Sequence, residues 1–160
     1  MKIIYVHHAH RKKGNPPSQN DNITKIGEKD ANIVADLFEA FKAEGNIKAI
    51  YTSEFLRCTK TASIINKNVG VPIIIEPRLN EHGSNAGETW LDTQTRIKAA
   101  LKEIVFNSTD DNDAVVCVTS GINLSVFIAL AFNVPINEKL PFVGVPSCSP
   151  VMFEMKKEDF

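Results

Sequence analysis

The sequence predicts one three-layer α/β/α sandwich with a mostly parallel central sheet. Three observations carry that expectation. Short runs rich in isoleucine and valine alternate with longer helical patterns along the chain. The runs are apolar on both parities, as strands buried on both faces of a parallel sheet are. Nothing within residues 1–160 reads as a linker, a repeat or a low-complexity tract, so a single domain is expected.

The buried strands are expected at Lys2–Val6, Lys48–Thr52, Pro72–Glu76 and Ala114–Thr119, with Val151–Met155 as a closing edge strand after Pro146 and Pro150. Thr24 is placed to cap a first helix running to about Ala43. Its expected apolar face is Ile26, Ile33, Val34, Leu37, Phe38 and Phe41, and Gly45 ends it. Ser53 is the expected cap of a second helix through Leu56, Ile64 and Ile65, closed by Gly70 and Pro72. A third spans about Thr89 to Phe106 with Ile97, Leu101, Ile104 and Val105 inside. The fourth opens at Gly121 and carries Leu124, Phe127, Ile128 and Leu130.

Composition narrows the class. With 43% hydrophobic and 23% charged residues in 160, the chain has the make-up of a globular domain able to bury a core, not of a disordered segment. A formal net charge of −1 gives no reason to expect a nucleic-acid or membrane-surface partner, and the basic run Arg11–Lys12–Lys13 is too short to change that. No apolar run approaches the roughly 20 residues of a membrane span. Met1 leads directly into strand-like sequence, which leaves no room for a signal peptide. Cys58, Cys117 and Cys148 are odd in number and far apart, without CxxC spacing. Buried or half-buried thiols in a reduced cytosol are expected, not a disulfide framework or zinc knuckle.

Ligands of such sheets bind at the carboxyl ends of the strands. His7 and His8 follow the first strand, Ser53 and Arg57 the second, Glu81 the third, and Ser120 and Gly121 the fourth. Four polar sites therefore converge on one edge. The stretch YVHHAHRKKGN, Tyr5–Asn15, concentrates three of the four histidines there. It admits three readings: a metal site, an anion pocket with a nucleophilic imidazole, or a solvated polar loop. A metal needs three or four fixed ligands. His8-x-His10 supplies two, only His82 remains, and there is no HxxxH or Asp-rich partner segment. The stretch IYTSEFLRCTKTASII, Ile50–Ile65, favours the anion pocket. It sets Ser53 and Arg57 near the first turn of a helix, where free N–H groups and the dipole attract anions and a guanidinium adds a fork of donors.

With these motifs in view, the chain resembles the histidine phosphatase superfamily, the phosphoglycerate-mutase-like branch of α/β proteins, over nearly its whole length. His7-His8-Ala9 aligns with that family's opening Arg-His-Gly, and Ile23-Thr24-Lys25-Ile26-Gly27 with Leu-Thr-x-x-Gly. Ser53 through Ala62 aligns with Ser-Pro-x-x-Arg-x-x-Gln-Thr-Ala, and Leu79-Asn80-Glu81 with the Leu-x-Glu acid motif. Val118-Thr119-Ser120-Gly121 stands where Val-Ser-His-Gly is usual. Two positions depart: His7 replaces an Arg, and Ser120 replaces a His.

The resemblance implies a phosphoglycerate-mutase-like fold and a metal-independent phosphatase working through a phosphohistidine. His8 would be the nucleophile and Glu81 the acid and base. His7, Arg57, Ser120, Arg11 and Gly121 would hold the phosphoryl group, with no metal and no cofactor. Charge missing at positions 7 and 120 is expected to come from protonated His7 or from Arg11, Lys12 or Lys13. Cys58, Asn123 and His82 stand nearby, and Trp90 is expected to pack the third helix. Only about 12 residues separate Leu79 from the third helix, too few for the large lid of a mutase. The implied substrate is a small phosphorylated metabolite or a phosphoprotein, in the cytoplasm, with a homodimer open through the last strand. A silent phosphate- or phosphoprotein-binding module of the same fold is the alternative.

Overall fold

The structure, a computed structural model, describes residues 1–14, 18–42 and 46–160. The expected end of the first helix at Ala43 and its Gly45 stop lie outside these residues. Five strands, β1 (Lys2–His7), β2 (Asn46–Thr52), β3 (Ile73–Ile75), β4 (Asp113–Thr119) and β5 (Pro150–Glu154), form one sheet in the order β3-β2-β4-β1-β5. β1, β2, β3 and β4 run parallel; β5 is antiparallel to β1. Helices α1 (Lys25–Lys42) and α2 (Leu56–Val69) cover one face, and α3 (Trp90–Asn107) and α4 (Leu124–Ala131) the other.

The expected both-faced burial holds in the central strands. In β1, Ile3 and Tyr5 join the α3/α4 core while Ile4 and Val6 join the α1/α2 core. β4 divides the same way, with Val115 and Cys117 on one side and Ala114, Val116 and Val118 on the other. β3 departs from the expectation. It is a three-residue strand at the edge of the sheet, paired only with β2, and its isoleucines are exposed. An apolar run on both parities does not separate a central strand from an edge.

α1 corrects a second expectation. Ile26, Ile33 and Leu37 are 66%, 66% and 55% exposed, and the buried stripe is Gly27, Ala31, Val34, Ala35 and Phe38. The reason is distance. A Cβ on Gly27 would stand 2.4 Å from the His10 carbonyl oxygen, so the helix packs through its small residues and turns three large ones outward. Thr24 caps it as expected, accepting the Gly27 N–H at 3.1 Å. The third helix starts where expected, after Thr89, which forms a capping box with Asp92 in which each side chain satisfies the other's backbone N–H.

Ser53, in contrast, is not the cap of α2. The helix begins at Leu56 after extended Phe55, and the Gln19 carbonyl accepts the Leu56 N–H at 3.0 Å. Ser53 is drawn away instead, donating its hydroxyl to Asn80 Oδ1 at 2.8 Å. The three cysteines are free and buried. Among the described residues no helix is long and apolar enough to cross a membrane.

Candidate active site

The ladder that builds the sheet also assembles the site. β1 and β4 end in register, His7 opposite Thr119, and the pairing runs one residue further as the His8 N–H donates to the Thr119 carbonyl at 2.9 Å. Ser53 N–H reaches the Val118 carbonyl at 3.0 Å. The residues that follow β1, β2 and β4 are thereby brought side by side.

His8 lies at the centre and is 6% exposed. Its Nδ1–H donates to the Ala9 carbonyl at 2.8 Å, which leaves the lone pair on Nε2. Arg57 Nε–H donates to that lone pair at 3.1 Å. The same guanidinium donates to the Ser18 carbonyl at 3.3 Å and to Glu81 Oε2 at 2.5 Å. Arg57 is 2% exposed and lies over the Phe55 ring at 4.7 Å, whereas the Glu81 side chain is 39% exposed. Thr61 joins the two main partners. It accepts the Ala9 N–H at 2.9 Å and donates to the Arg57 carbonyl at 2.7 Å, one turn back on α2.

Burial pushes the His8 pKa down to about 3; the Ala9 carbonyl opposes this, and His7, Arg57 and Arg11 reinforce it. The imidazole is therefore neutral with Nε2 unprotonated, the form a nucleophile requires, its lone pair held by the Arg57 Nε–H. His7 meets His8 edge to face at 4.6 Å and donates Nδ1–H to the Val145 carbonyl at 2.8 Å. Its pKa also lies below the ordinary imidazole value, chiefly through burial, so no standing positive charge replaces an arginine there at neutral pH. The His7 ring lies against Gly121, where a Cβ would approach Cε1 to 2.9 Å. A side chain at position 121 would push that ring from its place beside His8.

Both imidazoles give the fold a pH dependence. An unfolded histidine titrates near about 6.5, so below that the unfolded chain binds more protons than the native one. Stability is present in full above about pH 6.5 and is lost as pH falls toward the His8 value of about 3. The thermal midpoint should drop between about pH 7 and about pH 5, less steeply in His8→Asn. Identical slopes in the two proteins would contradict the buried neutral imidazole.

The other expected site residues are placed unevenly. Arg11 faces the same cleft but is ion-paired with buried Asp21. Lys12 and Lys13 are exposed. Ser120 Oγ is buried and, with Asn123 Oδ1, makes no hydrogen bond among the described residues. His10 is turned away to Thr24. Among the described residues no three His, Cys, Asp or Glu come together as a metal-ligating group. Burial pushes the Cys58 thiol up to about 12, against Arg57 and Ser53. Trp90 packs as expected, donating to the Leu140 carbonyl at 3.0 Å and backing His82 edge to face. A surface cleft of about 390 Å³ opens in front of Arg57 between Arg11, Ser18, Phe55, Glu81, His82 and Ser84.

Several residues of the site escaped the sequence reading. Asn80 binds Ser53 Oγ and the Glu54 N–H through Oδ1 and donates to Glu54 Oε1 at 2.7 Å. Asn123, named from the sequence as a neighbour, supports the same segment by donating Nδ2 to the carbonyls of Leu79 and Asn80. Asn80 and Thr61 sit inside the two quoted motifs, at positions those motifs leave open or treat as structural. The carbonyls of Ser18 and Val145 have no side-chain signal at all.

A model of the histidine phosphatase superfamily (branch 1) matches residues 10–86 and 82–160. The chain belongs to that superfamily. No curated protein matches it. Solved structures share the family fold. The protein histidine phosphatase SixA complexed with tungstate aligns at TM-score 0.75 and 13% identity, over 99% of this chain and 91% of that one. Bacillus stearothermophilus YhfR aligns at TM-score 0.72 and 23% identity, over 94% and 89%. A mycobacterial glucosyl-3-phosphoglycerate phosphatase in complex with inorganic phosphate aligns at TM-score 0.73 and 15% identity, over 94% and 88%. At these identities the likeness is one of fold.

Proposed function

We propose that this superfamily member is a metal-independent phosphatase that passes a phosphoryl group through His8. The observation that carries the reading is the buried imidazole whose Nδ1–H is given to the Ala9 carbonyl and whose Nε2 lone pair faces the Arg57 guanidinium. A phosphoryl group entering the cleft takes over the Arg57 donors from His8 and Glu81, and Nε2 then attacks phosphorus in line. Arg57 stabilises charge on the equatorial oxygens, and the unpaired Ser120 hydroxyl is a further donor. The half-exposed Glu81 moves with the phosphoryl group. As general acid it gives a proton to the leaving oxygen. Water then takes the phosphoryl group from His8 as Glu81 recovers a proton.

The cleft is open enough for a phosphorylated metabolite or a phosphorylated side chain on a protein. Neighbours named for both kinds of substrate share the fold and support that range. A second reading, a silent phosphate- or phosphoprotein-binding module, is favoured by one observation. Arg57 is the cation bonded to His8, while Arg11 is tied to Asp21 and His7 is neutral.

Turnover of an aryl phosphate in the presence of a chelator decides between them. Hydrolysis is expected. Phosphate binding without any hydrolysis would establish the silent module.

A further inference from the structure

Glu81 lies on the segment between Leu79 and α3, and one buried ion pair organises that segment. Arg96 of α3 donates Nε to Glu88 Oε1 at 2.6 Å and Nη2 to Oε2 at 3.1 Å, a two-point fork on a carboxylate 3% exposed. Its other N–H groups read the backbone. Nη1 donates to the carbonyls of Arg78 at 2.7 Å and Asn80 at 2.8 Å, and Nη2 to that of Glu81 at 3.1 Å. Glu88 in turn accepts the Gly83 N–H at 2.8 Å and Asn85 Nδ2 at 3.1 Å. Burial works against ionisation of Glu88, but Arg96, Gly83, Thr93 and Asn85 outweigh it and hold the carboxyl at about 2. The pair is thus charged at any working pH.

We infer that Arg96, oriented by Glu88, is a positioning residue for the acid–base work of Glu81. One guanidinium grips the peptide oxygens on both sides of the Glu81 Cα, so it sets where the carboxylate can reach. Among the described residues neither Arg96 nor Glu88 bonds to His8 or Arg57, so the clamp acts on the acid and not on the attacking nitrogen. The inference rests on the phosphatase reading.

The two half-reactions show what depends on it. In the first, the P–O bond to the leaving group breaks as P–Nε2 forms, and the Glu81 proton goes to the leaving oxygen. In the second, water oxygen bonds phosphorus, P–Nε2 breaks, and the water's proton goes to Glu81. An aryl oxide leaves without that proton; an alkoxide does not.

The test measures kcat and KM on p-nitrophenyl phosphate and on a primary alkyl phosphate. The proteins are the native chain, Glu81→Gln, Arg96→Lys, Glu88→Gln and the Glu81→Gln/Arg96→Lys double variant. Arg96→Lys loses the fork, and Glu88→Gln keeps the volume should the first variant fold poorly. Each is expected to lower kcat/KM on the alkyl ester, which reports the first half-reaction, by about 10²-fold, and kcat/KM on the aryl ester far less. The dephosphorylation step, common to both esters, slows alike for both. The double variant is expected to be no slower than Glu81→Gln alone. Because the aryl-to-alkyl ratio is taken on one sample, it is insensitive to how much protein is folded. Equal losses of kcat/KM on both esters, or losses that multiply in the double variant, overturn the inference. So does aryl-ester turnover in which Glu81→Gln shows no leaving-group dependence, a result that leaves the phosphatase reading standing. A native chain inactive on both esters overturns that reading, and this one with it.

Discussion

His8→Ala is expected to lower kcat on an aryl phosphate by at least about 10³-fold, since removing an attacking group closes the covalent route altogether. The expectation rests on geometry. His8 is the residue whose lone pair is free of its own backbone and faces the buried guanidinium. No compensation by His7 is expected, because its Nδ1–H is already given to the Val145 carbonyl and its ring is packed against Gly121. A variant retaining native turnover would remove His8 from the chemistry.

Arg57→Ala should cost about 10²–10³-fold in kcat, the usual loss for one preorganised donor to a developing charge. Here, among the described residues, that donor stands without a second cation bonded to His8, so the upper end of the range is expected. Arg57→Lys should recover only part, because an ammonium offers a point charge where the fork donates in three directions. Arg57 also contributes to the lowered pKa of His8, though less than burial does. An NMR titration of the His8 ring should therefore show its pKa rise from about 3 in Arg57→Ala while staying below the free-imidazole value of about 6.5. An unchanged pKa together with unchanged kcat would mean that the guanidinium is only a packing element.

Most of the fold was legible in the sequence because strand period, cap residues and helix period all act locally. Thr24 was placed as a cap from the residues around it and Thr89 as the start of the third helix, and both hold. What failed depended on distant chain. The outward turn of Ile26, Ile33 and Leu37 is dictated by the His10 carbonyl against Gly27, and the exposure of β3 by its place at the edge of the sheet, beside β2 alone. Ser53 was lost as a cap to Asn80, 27 positions away. In the site, the side chains that titrate or carry charge announced themselves at the strand ends. The parts built from backbone oxygens did not. The Ala9 carbonyl that selects the His8 tautomer and the Ser18 carbonyl that takes one Arg57 donor are invisible to residue type.

The most direct measurement is a rapid quench of the native chain with a phosphate ester labelled on phosphorus, followed by mapping of any label on the protein. The account predicts an acid-labile, base-stable phosphoryl group on one imidazole, that of residue 8, bonded through Nε2. Turnover that never labels the protein, or label on any other side chain, would contradict it.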